Sequence, residues 1–206
     1  MLTYLIQAIG LGFAAAAQPG PLQTYLISRT LSSGWRRALP AVLAPLISDG
    51  PIITLVLLVL SRIPEWLERF LYLAGGVFVL YLAFGAFSAW RRFNDTDAAP
   101  EASAAQSLLG AVMVNLLNPN PYMFCALVAG PILLRAWRES TGNAVVFVAG
   151  FYGVFISVMA AMVITFGTAA RLGPKVNRAL LGVSAAALAC FGLYQLWLGA
   201  IGGRLG

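Results

Sequence analysis

The chain has 206 residues, of which 60% are hydrophobic and only 10% charged, with a mean hydropathy of +0.85. That much apolar surface exceeds what one soluble core of this length buries, so composition excludes an ordinary globular domain and indicates an integral membrane protein. The net charge of +6 does not mark a nucleic-acid-binding face, because the basic residues flank apolar runs, and the lack of histidine excludes imidazole as base, proton relay or metal ligand.

The first apolar run covers residues 1–17. Its terminal alanines imitate a signal-peptidase site, but no Lys or Arg precedes Arg29, so the basic segment of a secretory signal is missing and a membrane helix is expected instead. That helix must break at Gln18-Pro19-Gly20-Pro21. Pro19 and Pro21 carry no N–H and push the residues before them away from helical angles. Pro21 suits the first turn of a new helix, expected over 21–33. Arg29, Arg36 and Arg37 then mark a membrane surface.

A second span, 38–60, is close to the twenty or so residues a bilayer requires, and carries Pro45, Asp49, Gly50 and Pro51 near its middle. A kink, with the helix locally open at Gly50-Pro51, is expected there. The connector with Arg62, Pro64, Glu65, Trp66 and Glu68 is a polar turn with an interfacial aromatic. A third span, 67–90, leads into the one stretch of soluble composition, 91–106, which holds Asp95, Asp97, Pro100 and Glu101 and reads as a linker. The fourth span, 107–134, is interrupted at Asn118-Pro119-Asn120-Pro121. A fifth (144–170), a basic turn with Arg171, Lys175 and Arg178, and a sixth (179–201) complete the chain.

A shift of one hundred residues lays Gly10 on Gly110, Pro19 on Pro119, Pro21 on Pro121 and Gly50 on Gly150. Three spans per half is an odd number, so two such halves must enter the membrane in opposite directions. The expected fold is therefore all-α, with six transmembrane helices as two inverted three-helix repeats: 1–90, a cytoplasmic linker at 91–106, and 107–206. The first and fourth helices are broken at Pro-x-Pro. Eight of the thirteen basic residues fall on connections one, three and five, which by the positive-inside rule places both termini outside and the linker inside.

Broken helices at membrane depth are tolerated only where the freed backbone is buried in protein or lines a wet cavity, and transporters of inverted-repeat plan hold substrate between such breaks. The polar set at the breaks is Gln18, Gln23 and Thr24 with Asn115, Asn118 and Asn120, framed by Pro19, Gly20, Pro21, Pro119 and Pro121. Some of these amides instead satisfy backbone groups freed at the breaks. Asp49 is the one acid deep in a span, where a charge costs about 2.5–3.5 kcal/mol. It therefore faces protein or water, and its proton affinity responds to burial and nearby charge, as a proton-coupling carboxyl needs. Helix N-termini at the breaks suit a carboxylate and Asp49 suits an amine, which together match a zwitterionic amino acid. Tyr122, Phe124 and Tyr152 are candidate walls.

With Pro19-Gly20-Pro21 in the first span, Leu117-Asn118-Pro119 in the fourth and Asp49 in the second, the chain resembles the lysine exporter (LysE) family, which includes homoserine and threonine efflux proteins. The glycine-spaced third span from Leu73 to Gly85, and the sixth around Gly182 and Gly192, extend the likeness over nearly the whole chain. The resemblance implies export of amino acids or their derivatives across the bacterial inner membrane, driven by the proton gradient, with no prosthetic group. The chain departs from the family pattern at Leu22 and Asn120, where many relatives carry Asn and Lys.

Two other classes of transport remain open. A metal-cation exporter would use Asp49, Asn115, Asn118 and freed carbonyls as oxygen ligands, although one acid is few for a divalent ion. A thiol-disulfide electron carrier would need Cys125 and Cys190 to meet. A non-transporting membrane scaffold is the third alternative. No nucleophile, base and orienting group recur at a spacing that suggests an enzyme. Gly150, Gly153, Gly199 and Gly203 permit close packing within a chain or in a homo-oligomer.

Overall fold

The computed structural model describes residues 1–58, 65–92, 103–170 and 173–201. The expected features at Arg62, Pro64, Asp95, Asp97, Pro100, Glu101, Arg171, Gly203 and Arg204 lie outside the described residues. All regular structure among the described residues is helical.

In chain order the helices are α1 (Leu2–Ala17), α2 (Pro21–Ser33), α3 (Trp35–Ala38), a 3-10 segment (Leu39–Leu43) and α4 (Ala44–Leu58). There follow α5 (Glu65–Arg91), α6 (Ala104–Leu116), α7 (Pro119–Phe124), a π-helical turn (Cys125–Ala129), α8 (Gly130–Glu139), α9 (Thr141–Ala169) and α10 (Pro174–Ile201). Local chemistry explains the starts. Ser103 Oγ accepts from Gln106 N–H while Gln106 Oε1 accepts from Ser103 N–H, a reciprocal cap at the head of α6. Ser140 Oγ accepts from Gly142 N–H at the head of α9. Gly34, at φ 84°, turns the chain between α2 and α3 in a conformation that favours glycine.

Trp35–Val56, Arg69–Arg91, Thr141–Ala169 and Lys175–Ile201 are each long and apolar enough to cross a bilayer. Ala104–Leu116 with Pro119–Glu139 makes a fifth, bent by 57° at the break. The remaining expected span is of a different kind. α1 is apolar but has only 16 residues, and α2 carries many hydroxyls. α2 packs against α5, α6, α9 and α10, so its polar residues are held inside protein rather than in lipid. Thr24, Ser28, Thr30 and Ser33 are buried there, and Thr24 and Thr30 return their hydroxyl protons to the carbonyls of Gly20 and Leu26.

The expected opening of the second span at Gly50-Pro51 is not found. α4 runs unbroken through Pro51, whose missing N–H leaves one carbonyl, that of Ile47, without its helical donor. The irregular turn lies earlier, at Leu39–Leu43, just where Pro40 enters.

Packing pairs α1 with α9, α4 and the 3-10 segment with α6, and α5 with α10. Gly76 and Gly192 bring α5 and α10 together, since a Cβ on either would stand about 3 Å from the other's carbonyl oxygen. The ends of the bundle are consistent with one another. At one end Met1 abuts Gly142, Tyr4 OH donates to Glu139 Oε1 at 2.7 Å, and Arg69 Nε donates to Gly199 O at 3.0 Å. At the other, Trp35 packs on Gly167 and the Arg178 guanidinium lies over the Trp90 ring at 5.6 Å.

Candidate functional site

Both breaks leave carbonyls without donors, and at each break a side chain from the following helix repairs one of them. Pro19 has no N–H for the Ala15 carbonyl, so Gln23 Nε2 donates to it at 3.2 Å. At the second break Tyr122 OH donates to the Leu116 carbonyl at 2.9 Å. Asn118 caps α7, its Oδ1 accepting from Asn120 N–H at 3.1 Å. Pro21 and Pro119 occupy first-turn positions and are buried, where a missing N–H leaves nothing unpaired. The carbonyl of Leu117, deprived of its donor by Pro121, lies so close to Gly75 of α5 that a Cβ there would collide with it.

The two breaks open onto one cavity of about 210 Å3. Gln18, Pro19, Gly20 and Gln23 line it from the first half, with Asn115, Asn118, Asn120 and Pro121 from the second. Asp49 of α4 reaches the same space, while Pro21 and Pro119 do not line it. The apolar walls are Leu11 of α1, Leu22 of α2, Phe124, and Phe151 and Phe155 of α9. A smaller, mainly apolar cavity of about 60 Å3 touches Asp49 from another side and includes Cys125 and Tyr152. Asp49 thus borders both.

Asp49 is held on both oxygens. Asn115 Nδ2 donates to Oδ1 at 2.6 Å and Tyr152 OH donates to Oδ2 at 2.9 Å. Ser48 steadies the arrangement: its Oγ donates to the Ala44 carbonyl at 3.0 Å and accepts from Asn115 Nδ2 at 2.7 Å. A single carboxylate therefore ties α4, in the first half of the chain, to α6 and α9 in the second. Hydrogen bonds to a charged acceptor are the stronger kind, and here they cross between the two halves.

Ser48 and the pair Phe151 and Phe155 were missed by sequence reasoning. The phenylalanines were legible: Phe147, Phe151, Phe155, Met159, Val163 and Gly167 recur every four residues as the buried stripe of α9. No comparable signal marks Ser48. Among the described residues no group of three or more His, Cys, Asp or Glu is placed to hold a metal ion. Cys125 is buried and Cys190 exposed, both with free thiols.

No curated protein and no solved structure matches the chain. A family model does: the LysE type translocator matches residues 13–199, which include both breaks, Asp49 and every residue named around the cavity except Leu11. The chain is a multi-pass membrane protein that belongs to the LysE type translocator family, whose members are efflux transporters.

Proposed function

We propose that this protein exports an amino acid or amino-acid derivative from the bacterial cytoplasm in exchange for protons, by alternating access at the cavity between the two broken helices. The observation that carries the reading is the convergence of both breaks and Asp49 on one cavity. The first turn of α2 leaves backbone N–H groups without intrahelical acceptors, and so offers a place for the substrate carboxylate. Asp49 of α4, which borders the same cavity, offers the complementary charge for the ammonium group. The phenylalanines leave room for a small side chain.

In this mechanism the six helical spans form two inverted three-helix repeats that rock about the cavity, and Asp49 alternates between holding substrate and holding a proton. Protonation removes the charge that attracts the ammonium group, so proton entry from outside releases substrate there. The way successive helices start and finish at opposite ends of the bundle supports six crossings. The excess of Lys and Arg on connections one, three and five supports a cytoplasmic linker and external termini.

The test is transport into proteoliposomes under an imposed pH difference, with a panel of radiolabelled amino acids and divalent cations. Accumulation of an amino acid that collapses with the pH gradient supports the reading. Movement of a divalent cation alone replaces it with a metal exporter, and no transport of either class leaves a scaffold.

A further inference from the structure

Between α2 and α5, apart from the cavity at Asp49, lies a larger crevice of about 350 Å3. Its α5 wall reads Tyr81, Phe84, Ser88 and Arg92, spaced three or four residues apart and so on one helix face. Its α2 wall reads Tyr25, Arg29 and Ser32 at the same spacing. Both helices end at the same end of the bundle, so the crevice is aromatic at depth and carries hydroxyls and guanidiniums toward the surface. Tyr81 and Phe84 are each 70% exposed, which puts apolar surface at the mouth where lipid tails lie.

Among the described residues the cations in this crevice have no counter-charge. The Arg29 Nε donates to Tyr25 OH at 3.1 Å and its guanidinium lies over the same ring at 5.3 Å, neither of which neutralises it. Among the described residues no carboxylate pairs with Arg29 or Arg92, because Asp49 is held by Asn115 and Tyr152, and Glu139 by Tyr4 and Asn143. A cavity that is cationic and hydroxylic at the membrane surface and aromatic beneath it matches an amphiphile with an anionic head. A free phosphate would leave the aromatic half unused.

We propose that this crevice binds an anionic phospholipid, with the phosphate ester between Arg29 and Arg92 and an acyl chain along Tyr81 and Phe84. The ester oxygens take guanidinium N–H donors as charge-assisted hydrogen bonds, and Ser32 and Ser88 line the headgroup end. Basic pockets between helices on the cytoplasmic side are where such headgroups are recognised. The site is independent of the transported solute.

Native mass spectrometry of the delipidated, purified full chain, mixed with phosphatidylglycerol or phosphatidylcholine at equal concentration, reads the bound lipid directly. Phosphatidylglycerol is expected to be retained at least about tenfold over phosphatidylcholine, and Arg29→Gln with Arg92→Gln to abolish that preference. Gly85→Leu is the steric counterpart. A Cβ at Gly85, which also lines the crevice, meets nothing within 4 Å, so a side chain there starts into open space and takes up room in the site without removing charge. If the double arginine variant fails to fold, Gly85→Leu alone decides. Arg135→Gln with Arg138→Gln, equal in charge lost but at the other end of the bundle, is expected to keep the preference. Equal retention of the two lipids, an equal loss in that distant variant, or full retention by Gly85→Leu overturns the proposal. Displacement of the lipid by inorganic phosphate at the lipid's own concentration overturns the lipid assignment and gives the guanidiniums to a soluble phosphate.

Discussion

Asn115 Nδ2 stands 2.6 Å from Asp49 Oδ1, so the last turn of α6 grips the one carboxylate of the cavity from the opposite half of the chain. Replacing either partner has a different consequence. Asp49→Asn keeps the shape and an acceptor for Asn115, and the Tyr152 hydroxyl can turn to accept from the new amide, so the purified variant should melt within a few degrees of wild type. It carries no titratable proton. Efflux driven by a pH difference should therefore fall to the level of protein-free vesicles, and near-normal gradient-driven export would remove Asp49 from the coupling step. Asn115→Ala instead strands Asp49 Oδ1 and Ser48 Oγ without their donor, at a cost of about 1–3 kcal/mol. It should lower the melting temperature as well as the rate.

Tyr152 reaches the same carboxylate from α9, with its OH 2.9 Å from Oδ2, and its ring lies edge-on to Phe151 at 5.1 Å. Tyr152→Phe deletes the donor and keeps the ring contact. A hydrogen bond to a charged group contributes about 1.5–3 kcal/mol, so efflux should slow roughly tenfold or more while the variant stays folded. Wild-type transport by Tyr152→Phe would reduce Tyr152 to a wall of the cavity.

The positions of the breaks were legible because they depend on local covalent chemistry: Pro19, Pro21, Pro119 and Pro121 lack donors wherever the chain places them. Asp49 was legible for a similar reason, as an acid stands out in an apolar run. The partners of Asp49 were harder to read, since Asn115 lies 66 residues away and Tyr152 lies 103. No local period encodes which residues meet across that distance. The amides at the breaks also divide their duties in a way composition does not reveal. Gln23 and Asn118 line the cavity, yet both spend hydrogen bonds on backbone groups that the prolines left open. The local opening expected at Gly50-Pro51 is absent because a single lost N–H in a packed helix is tolerated, whereas Pro40 stands in the 3-10 segment.

Glycine at position 75 is fixed by the second break rather than by helix flexibility. The Leu117 carbonyl, left without the Pro121 donor, fills the space that a Cβ would need. Gly75→Ala therefore forces α5 away from the break, a type of overpacking that costs about 1–3 kcal/mol. Gly10 faces open space instead, and Gly10→Ala should be neutral or stabilise by up to about 1 kcal/mol through the unfolded chain. Thermal unfolding of the two variants in detergent separates them. Equal melting temperatures would mean that α5 does not bear on the break.

The orientation proposed from charge can be read with single thiols. In a background where Cys125 and Cys190 are replaced by serine, Thr141→Cys and Ala105→Cys place exposed labels beside the caps Ser140 and Ser103 without removing either cap. The contact of Met1 with Gly142 puts the start of the chain at the same end of the bundle as Thr141, whereas Ala105 follows the linker. A membrane-impermeant maleimide added to intact cells should then modify the cysteine at 141 and spare the one at 105, with both reacting after lysis. The converse pattern would turn the molecule over. The crevice between Arg29 and Arg92 would then open to the outer leaflet, and a phospholipid held there would belong to that leaflet.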